Sequence, residues 1–576
     1  MLNYFRITDE SYRLVVKNPM DEPRAVFRPV MGRRDSCAFQ ILLQSDHHYS
    51  VQVDTAEYLS VYNWQACLHE RFRVEVKCDL PCTLQVEDMH LDDDMLMKAD
   101  ALLHLPVKDS GAHVPTAVWA EFTSAPDTRP GVYPVTVNVY ASGHNDDEVL
   151  VKTETLDVEV MDVLLPEPKN FYMDFSLWQH STSIARQHEV PLWSEKHFEL
   201  LKKYADALAG LGQKSATVIV SEIPWRGQSC FMDKRYGGSM YEYSMVLIRR
   251  DKDGCFHYDY SPMQRYIDLC REAGIGKGIE VMGLINVWEK PILNPTPFCQ
   301  EFPEALRLRY FDEADGCMKY MRDAAHITDY VRALHDYFVN TDQIDDVFIS
   351  ADEPGDMEKF RKSMDILKEL CPRFRIHVSI NHTEFIQEFS DRLQGFAPHL
   401  SCCLEQYDFL IDYKKQHPDV LLQWYTCCGS SFPNHFIRTE PVESRVTGPF
   451  TYYMGFDGFG RWAFTCWPED PRRDVRYSEF EAGDPFFVYP ARDGSVMYSI
   501  RYKNVQRGIM DFELLHRVEE KYDREKAMEM LYTLIPEGRL MDFNIFTYEI
   551  GTVRPFSRNW QDYNEFKRNM LKLLEA

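Results

Sequence analysis

The sequence predicts a multidomain β plus α/β protein: an N-terminal antiparallel β-sandwich over residues 1–165, a (β/α)8 TIM-type barrel over 169–520, and a C-terminal helical extension over 521–576 packed on the barrel. Three observations predict this. Apolar residues alternate with period two up to about Leu165, eight apolar strand candidates then alternate with longer amphipathic segments, and a proline-marked stretch separates the two regimes.

In the first region "VTVNVY" sets Val135, Val137 and Val139 on one face, and "ETLDVEV" does the same with Leu156, Val158 and Val160. Turn-forming stretches such as "SAPDTRPG" and "SGHNDD" separate these strands at short intervals, the pattern of a sandwich. The linker is "LLPEPKN", stiffened by Pro166 and Pro168. Beyond it, "NFYMDFSLWQH" reads as a strand and "PLWSEKHFELLKKYADALAGLG" as a helix, with Ser194 as N-cap and Phe198, Leu201, Tyr204 and Leu208 along one face. The strands "SATVIVSEIPW", "GIEVMGLINVW", "DDVFISADEP", "RIHVSIN", "HLSCCLEQY", "VLLQWYTCC" and "GFDGFGRWAFTCW" follow, interleaved with helices such as "YSPMQRYIDLCREAGI" and "ITDYVRALHDYFVNT". Eight such strands predict a barrel, with a doubly wound sheet as the competing arrangement. The end of the chain, with "REKAMEMLYTLI" and "YNEFKRNMLKLLEA", reads as helices on the barrel's outside.

A formal net charge of −26 excludes the clustered basic surface that a nucleic-acid partner requires. No basic start followed by an apolar stretch opens the chain at "MLNYFRITDE", and no apolar run reaches the roughly 18 residues of a membrane span. A cytoplasmic protein without membrane insertion is therefore expected. The 15 cysteines are scattered, as reduced thiols are, and the pairs Cys78/Cys82, Cys402/Cys403 and Cys427/Cys428 do not combine into a zinc pattern. With no glycine-rich fingerprint after the first strand, neither metal nor cofactor is expected. Aromatic residues make up 13% of the chain, including 10 Trp, which serves both a core and a cleft that stacks sugars.

The segment "VFISADEPGDMEKF" sets Asp352 and Glu353 at the end of the fourth strand, at the face where barrel enzymes carry their catalytic groups. Pro354 pushes Glu353 toward an extended backbone. Acids here also serve simply to open the helix that follows. Glycosidases with two opposed carboxylates hold them about 5 Å or about 6.5–9.5 Å apart across the scissile bond, which neighbours on one strand cannot do. An adjacent pair suits a reaction whose nucleophile belongs to the substrate: the carbonyl oxygen of a 2-acetamido sugar attacks the anomeric carbon, one carboxyl protonates the leaving oxygen, and the other orients the amide.

The sequence resembles glycoside hydrolase family 123, the β-N-acetylgalactosaminidases. The resemblance rests on "DFSLWQH" with "EVPLWSEKHFELLKKYADALAGLGQK", on "ADEP", and on the distal "GFDGFGRWAFTCWPEDP", "GDPFFVYP" and "SIRYKNVQRGIMDFELL" in this order. It implies a β-sandwich followed by a (β/α)8 barrel, and a retaining exo-hydrolase that releases terminal β-linked N-acetylgalactosamine through an oxazoline, without metal or cofactor. It further implies Glu353 as general acid/base and Asp352 as the support of the acetamido group. The expected partner is an oligosaccharide or glycoconjugate ending in β-linked N-acetylgalactosamine, short oligosaccharides being favoured where no export signal is seen.

Strand-end position nominates Trp178, Gln179, Trp225, Asn286, Trp288, Asn381, Trp424, Tyr425 and Trp462 as substrate-binding residues, with Tyr425 the candidate for the amide oxygen. His180 and His382 fall near strand ends as well. Arg501, Asp511 and Glu513 read as scaffold. The competing readings are a β-N-acetylglucosaminidase, a two-carboxylate retaining enzyme with Glu405 as nucleophile, and a non-catalytic carbohydrate-binding protein.

Overall fold

The computed structural model describes residues 2–16, 28–58, 69–143, 146–225, 240–285, 306–428, 432–477, 480–543 and 553–575. Up to Leu164 the chain is β-rich. A five-stranded sheet runs in the order Leu2–Asp9, Ser36–Ser45, Thr116–Thr123, Cys82–Leu91 and Met97–Leu102. A six-stranded sheet runs Val30–Arg33, Val149–Leu164, Gly131–Ser142, His69–Lys77, His48–Gln52 and Val107–Ser110. Neighbours are antiparallel except in two parallel pairs, Val149–Leu164 with Val30–Arg33 and His48–Gln52 with His69–Lys77. Period-two alternation builds one core from both sheets: Phe39, Ile41, Val118 and Phe122 of the first meet Phe72, Val74, Val135, Val137, Val139 and Val158 of the second.

Eight parallel strands follow, in spatial order Asp174–Leu177, Gly458–Arg461, Leu421–Trp424, Gly395–Pro398, Arg375–Ile380, Val347–Asp352, Gly278–Met282 and Ser215–Ile219. They form a nearly closed, TIM-like barrel with helices between them. Ser194 caps the helix Glu195–Ala209 by accepting from the His197 N–H, and Phe198, Leu201, Tyr204 and Leu208 are buried against the barrel.

Seven of the strands lie inside the segments expected from the sequence. The exception is "HLSCCLEQY", where the strand is instead Gly395–Pro398 and Leu400–Glu405 is helical, with the His399 side chain accepting from the Ser401 N–H at its start. A short apolar run carries no period that separates strand from helix.

The seam between the first two strands, Asp174–Leu177 and Ser215–Ile219, is joined by side-chain amides. Leu177 N–H donates to Gln213 Oε1 and Thr217 N–H to Gln179 Oε1 (both 2.8 Å), while the two amide groups donate to the Ser215 carbonyl (3.0 and 3.2 Å). Two glutamines thus satisfy backbone groups that a continuous ladder would pair.

Two excursions from the barrel's strand ends supply a four-stranded sheet, Phe256–Asp259, Leu247–Arg250, Arg309–Asp312 and Cys317–Tyr320, which the sequence reading had not foreseen. The helix Ile500–Lys521 is clasped to the N-terminal sheets by buried ion pairs: Arg501–Asp100 (2.9 Å), Lys503–Glu121 (2.6 Å), and Arg507 with Glu10 (3.0 Å) and Glu121 (2.8 Å). Asp511 pairs with Arg445 (2.8 Å), and Glu513 accepts from the Tyr172 and Met173 N–H groups (2.9 Å each). The helix Trp560–Glu575 packs on the N-terminal strands, with Asn564 accepting from Val30 N–H (3.1 Å) and Lys567 paired with the buried Asp35 (2.7 Å). Among the described residues, no helix is long and apolar enough to cross a membrane.

Candidate active site

Side chains that point into a TIM barrel are usually bulky and fill it. Here five of the inward strand positions are small, Ser176, Ser350, Ser379, Ala397 and Gly460, beside the larger Glu280, His377 and Gln423. They leave a cavity of about 430 Å³, within the range of small-ligand sites. Its aromatic wall is a chain of rings, with Trp178 5.4 Å from Trp225, Trp225 6.3 Å from Trp462, and Trp462 5.0 Å from Phe480. The Trp462 indole N–H donates to Asp484 (3.2 Å), which is itself held by the buried guanidinium of Arg461.

Asp352 and Glu353 both line this cavity. Along an extended strand consecutive side chains point to opposite faces, so this requires a break in the backbone. Glu353 supplies it with φ of +46°, in the left-handed region rather than in the extended conformation expected before Pro354. Its N–H still donates to the Ser379 carbonyl (2.9 Å), so the ladder persists to Glu353 while the chain turns. A non-glycine residue in this region costs on the order of 1–3 kcal/mol and persists only where its surroundings hold it. The Tyr425 hydroxyl donates to one oxygen of Glu353 and Asn381 Nδ2 to the other (2.8 Å). Burial raises the Glu353 pKa, while the Tyr425 hydrogen bond and His382 act to lower it.

A third carboxylate, Glu280, lines the cavity in the third strand. It is 2% exposed and accepts from the Trp178 indole N–H (2.9 Å) and the Thr217 hydroxyl (2.8 Å). Burial raises its pKa against the hydrogen bonds from Thr217, Ser350 and Trp178. The sequence reading passed over Glu280, although a lone acid inside the apolar strand "GIEVM" was a visible signal. Cys427 and Cys428 line the same cavity.

Of the nominated residues, Trp178, Trp225, Tyr425 and Trp462 line the cavity, and Asn381 reaches it through Glu353. Gln179 does not: its amide closes the barrel seam and accepts from the Tyr266 hydroxyl (2.9 Å). Trp424, adjacent to Tyr425 on one strand, points outward, fully buried against Phe450 and Phe459 with its N–H on the Thr451 hydroxyl (2.8 Å). Asn286 and Trp288 lie outside the described residues. His180 is fully buried behind the wall against Trp225 and Trp462. Glu405 sits on the helix Leu400–Glu405, exposed and bonded to the Thr383 hydroxyl (2.9 Å), away from the cavity lining. Among the described residues, no group of three or more His, Cys, Asp or Glu side chains is placed to hold a metal ion.

Comparison with solved structures finds the same fold in a family 123 glycoside hydrolase from Clostridium perfringens, studied for glycolipid glycan hydrolysis, with a TM-score of 0.74 at 16% identity over 100% of this chain and 97% of that one. A β-D-glucuronidase of Dictyoglomus thermophilum aligns with a TM-score of 0.30 at 11% identity, over 76% of this chain and 68% of that one, too distant to carry an argument. Comparison with curated proteins gives no match. The catalytic-domain model of glycoside hydrolase 123 matches residues 178–518, a span that runs from the aromatic wall through both adjacent carboxylates to the helix Ile500–Lys521. The chain is a glycoside hydrolase and belongs to glycoside hydrolase family 123.

Proposed function

We propose that this glycoside hydrolase releases terminal β-linked N-acetylgalactosamine with retention of configuration, using the substrate's own acetamido group as nucleophile. The observation that carries the reading is the distribution of carboxylates around the cavity. Asp352 and Glu353 stand side by side, and the remaining lining carboxylate among the described residues, Glu280, has both oxygens engaged at the cavity wall. Among the described residues the lining offers no further carboxylate to serve as an opposed nucleophile, which supports a substrate that brings one.

In the first step Glu353, whose pKa burial raises, gives its proton to the glycosidic oxygen as the acetamido oxygen attacks the anomeric carbon and the aglycone leaves as an alcohol. Asp352 accepts the amide N–H and balances the positive charge of the forming oxazolinium. Tyr425 donates to the Glu353 carboxylate produced by proton transfer, which favours that transfer. In the second step the carboxylate takes a proton from water, whose oxygen opens the oxazoline from the face the aglycone left. Two inversions give net retention.

The tryptophan wall supplies apolar faces for the pyranose ring. Two facing sheets with one shared core support reading residues 1–165 as a β-sandwich, and the match over 178–518 supports a catalytic barrel over 169–520 with residues 521–576 as its extension.

A two-carboxylate reading moves to Glu280, the one other lining acid among the described residues, in place of Glu405. Asp352→Asn and Glu280→Gln separate the two. Loss of turnover in Asp352→Asn, with Glu280→Gln changing mainly KM through the displaced Trp178, supports substrate assistance. A covalent glycosyl adduct on Glu280, trapped with a fluorosugar and found by peptide mass, refutes it.

A further inference from the structure

The adjacent thiols of Cys427 and Cys428 have no part in the proposed chemistry, yet both line the cavity together with Tyr425, Glu353 and Arg461. Their sulfurs are 3.8 Å apart, with Cys427 half-buried and Cys428 exposed. The hydrogen bond between them raises the Cys427 pKa and lowers that of Cys428. An accessible thiol beside a second thiol is the arrangement of a nucleophile and its resolving partner.

We propose that Cys427 and Cys428 are a redox modification site in the wall of the active-site cavity, closing to a disulfide by exchange with a low-molecular-weight disulfide such as oxidised glutathione. The Cys428 thiolate attacks one sulfur of glutathione disulfide, and the first glutathione leaves as a thiolate. Cys427 loses its proton to solvent and attacks the Cys428 sulfur of the mixed disulfide, expelling the second glutathione. Two electrons pass from the protein dithiol to two glutathione thiols, and no other reactant is needed.

Adjacent residues have Cα atoms about 3.8 Å apart, shorter than the roughly 4.4–6.8 Å of ordinary disulfides, so closure must twist the Cys427–Cys428 peptide. That twist disturbs the Cys427 carbonyl, which accepts from Asn434 Nδ2 (3.0 Å), and the neighbouring Thr426 carbonyl, which accepts from Arg461 (2.7 Å). Tyr425, which holds Glu353, is two residues away from Cys427. The strain also makes the bond easy to reduce, which suits a reversible modification. The other adjacent pair has no such access: Cys402 and Cys403 are buried on a helix, with the Cys403 thiol on the Pro398 carbonyl (3.3 Å).

The test uses the full reduced chain exposed to graded oxidised glutathione, quenched by alkylation and mapped by peptide mass. The expected result is one peptide carrying both sulfurs, two hydrogens lighter, unalkylated and free of glutathione, restored by dithiothreitol. Cys427→Ser should stop at a glutathione adduct on Cys428, and Cys428→Ser should leave Cys427 unmodified. Alkylation of both sulfurs throughout, or a wild-type adduct that never closes, would overturn the proposal. These readouts stand whether or not the substrate assignment holds. The effect on turnover rests on that assignment: a displaced catalytic group costs roughly 10- to 100-fold, so aryl-glycoside hydrolysis should fall by that factor on oxidation and return on reduction. An oxidised pair with undiminished hydrolysis would overturn the coupling to the active site.

Discussion

Removing the Tyr425 hydroxyl tests how the cavity tunes its acid. In the wild-type protein this hydroxyl donates to Glu353, which is half-buried and whose pKa burial raises. The donor favours the ionised form and so opposes part of that rise. Its contribution grows as Glu353 hands its proton to the leaving oxygen, because a carboxylate accepts more strongly than a carboxylic acid. Hydrogen bonds to charged groups contribute about 1.5–3 kcal/mol, which corresponds to a fall in kcat/KM of about 10- to 150-fold in Tyr425→Phe.

The pH profile gives an independent sign. Glu353 must be protonated in the first step, so activity is lost on the alkaline side as it ionises. Without its donor Glu353 ionises at higher pH, and the alkaline limb of kcat/KM should move upward. Stopped-time assays of an aryl β-N-acetylgalactosaminide across pH measure both effects. Wild-type rates with an unmoved limb, or a limb moving downward, would refute the assigned hydrogen bond.

Glu353→Gln should lower kcat by roughly 10²- to 10⁴-fold on an alkyl glycoside and by much less on an aryl glycoside with an acidic leaving group. Asp352→Asn should lower both similarly, and equal rescue of the two variants would contradict their division of roles. Gln179→Leu strands the Thr217 N–H and the Tyr266 hydroxyl, at about 1–3 kcal/mol for each group left unpaired; urea denaturation should show the loss while KM stays unchanged. Normal stability with a raised KM would put Gln179 back at the substrate. The clasp between barrel and sheets carries an acid sensitivity. Burial pushes Asp100 and Glu121 up, but Arg501 with Arg13, and Lys503 with Arg507, bring them down to about 2. Folded values below those of free carboxylates add stability above the usual range near about 4, and that stability is lost as pH falls toward about 2. Denaturant midpoints that stay flat over this interval would contradict the clasp.

Much of this architecture was legible because its periods are long or repeated. Val135, Val137 and Val139 announce a buried face without help from the rest of the chain, and strand–helix alternation announces the barrel. Short elements were harder. In "GFAPHLSCCLEQY" the strand is only Gly395–Pro398, whose Gly and Pro imitate a turn, while the apolar run beyond it is a helix. Position at a strand end nominated both Trp424 and Tyr425, yet where the strand runs unbroken only one of two neighbours faces inward, and sequence does not state which parity the barrel selects. Gln179 was drawn from the right strand end but serves the seam, a role created by two strands adjacent in sequence yet not directly paired. Asp352 and Glu353 were visible as a pair, whereas the positive φ that turns both into one cavity depends on Tyr425 and Asn381, contributed by segments far along the chain.

The central claim is that the nucleophile belongs to the substrate. Its most direct test compares hydrolysis of an aryl β-N-acetylgalactosaminide with that of the matching β-galactoside, in wild type, Asp352→Asn and Glu353→Gln. The account predicts turnover confined to the acetamido sugar, strongly reduced in Asp352→Asn and reduced less in Glu353→Gln, whose missing proton the acidic aryl leaving group largely dispenses with. Cleavage of the plain galactoside at a similar rate, or an Asp352→Asn enzyme as fast as wild type, would contradict it.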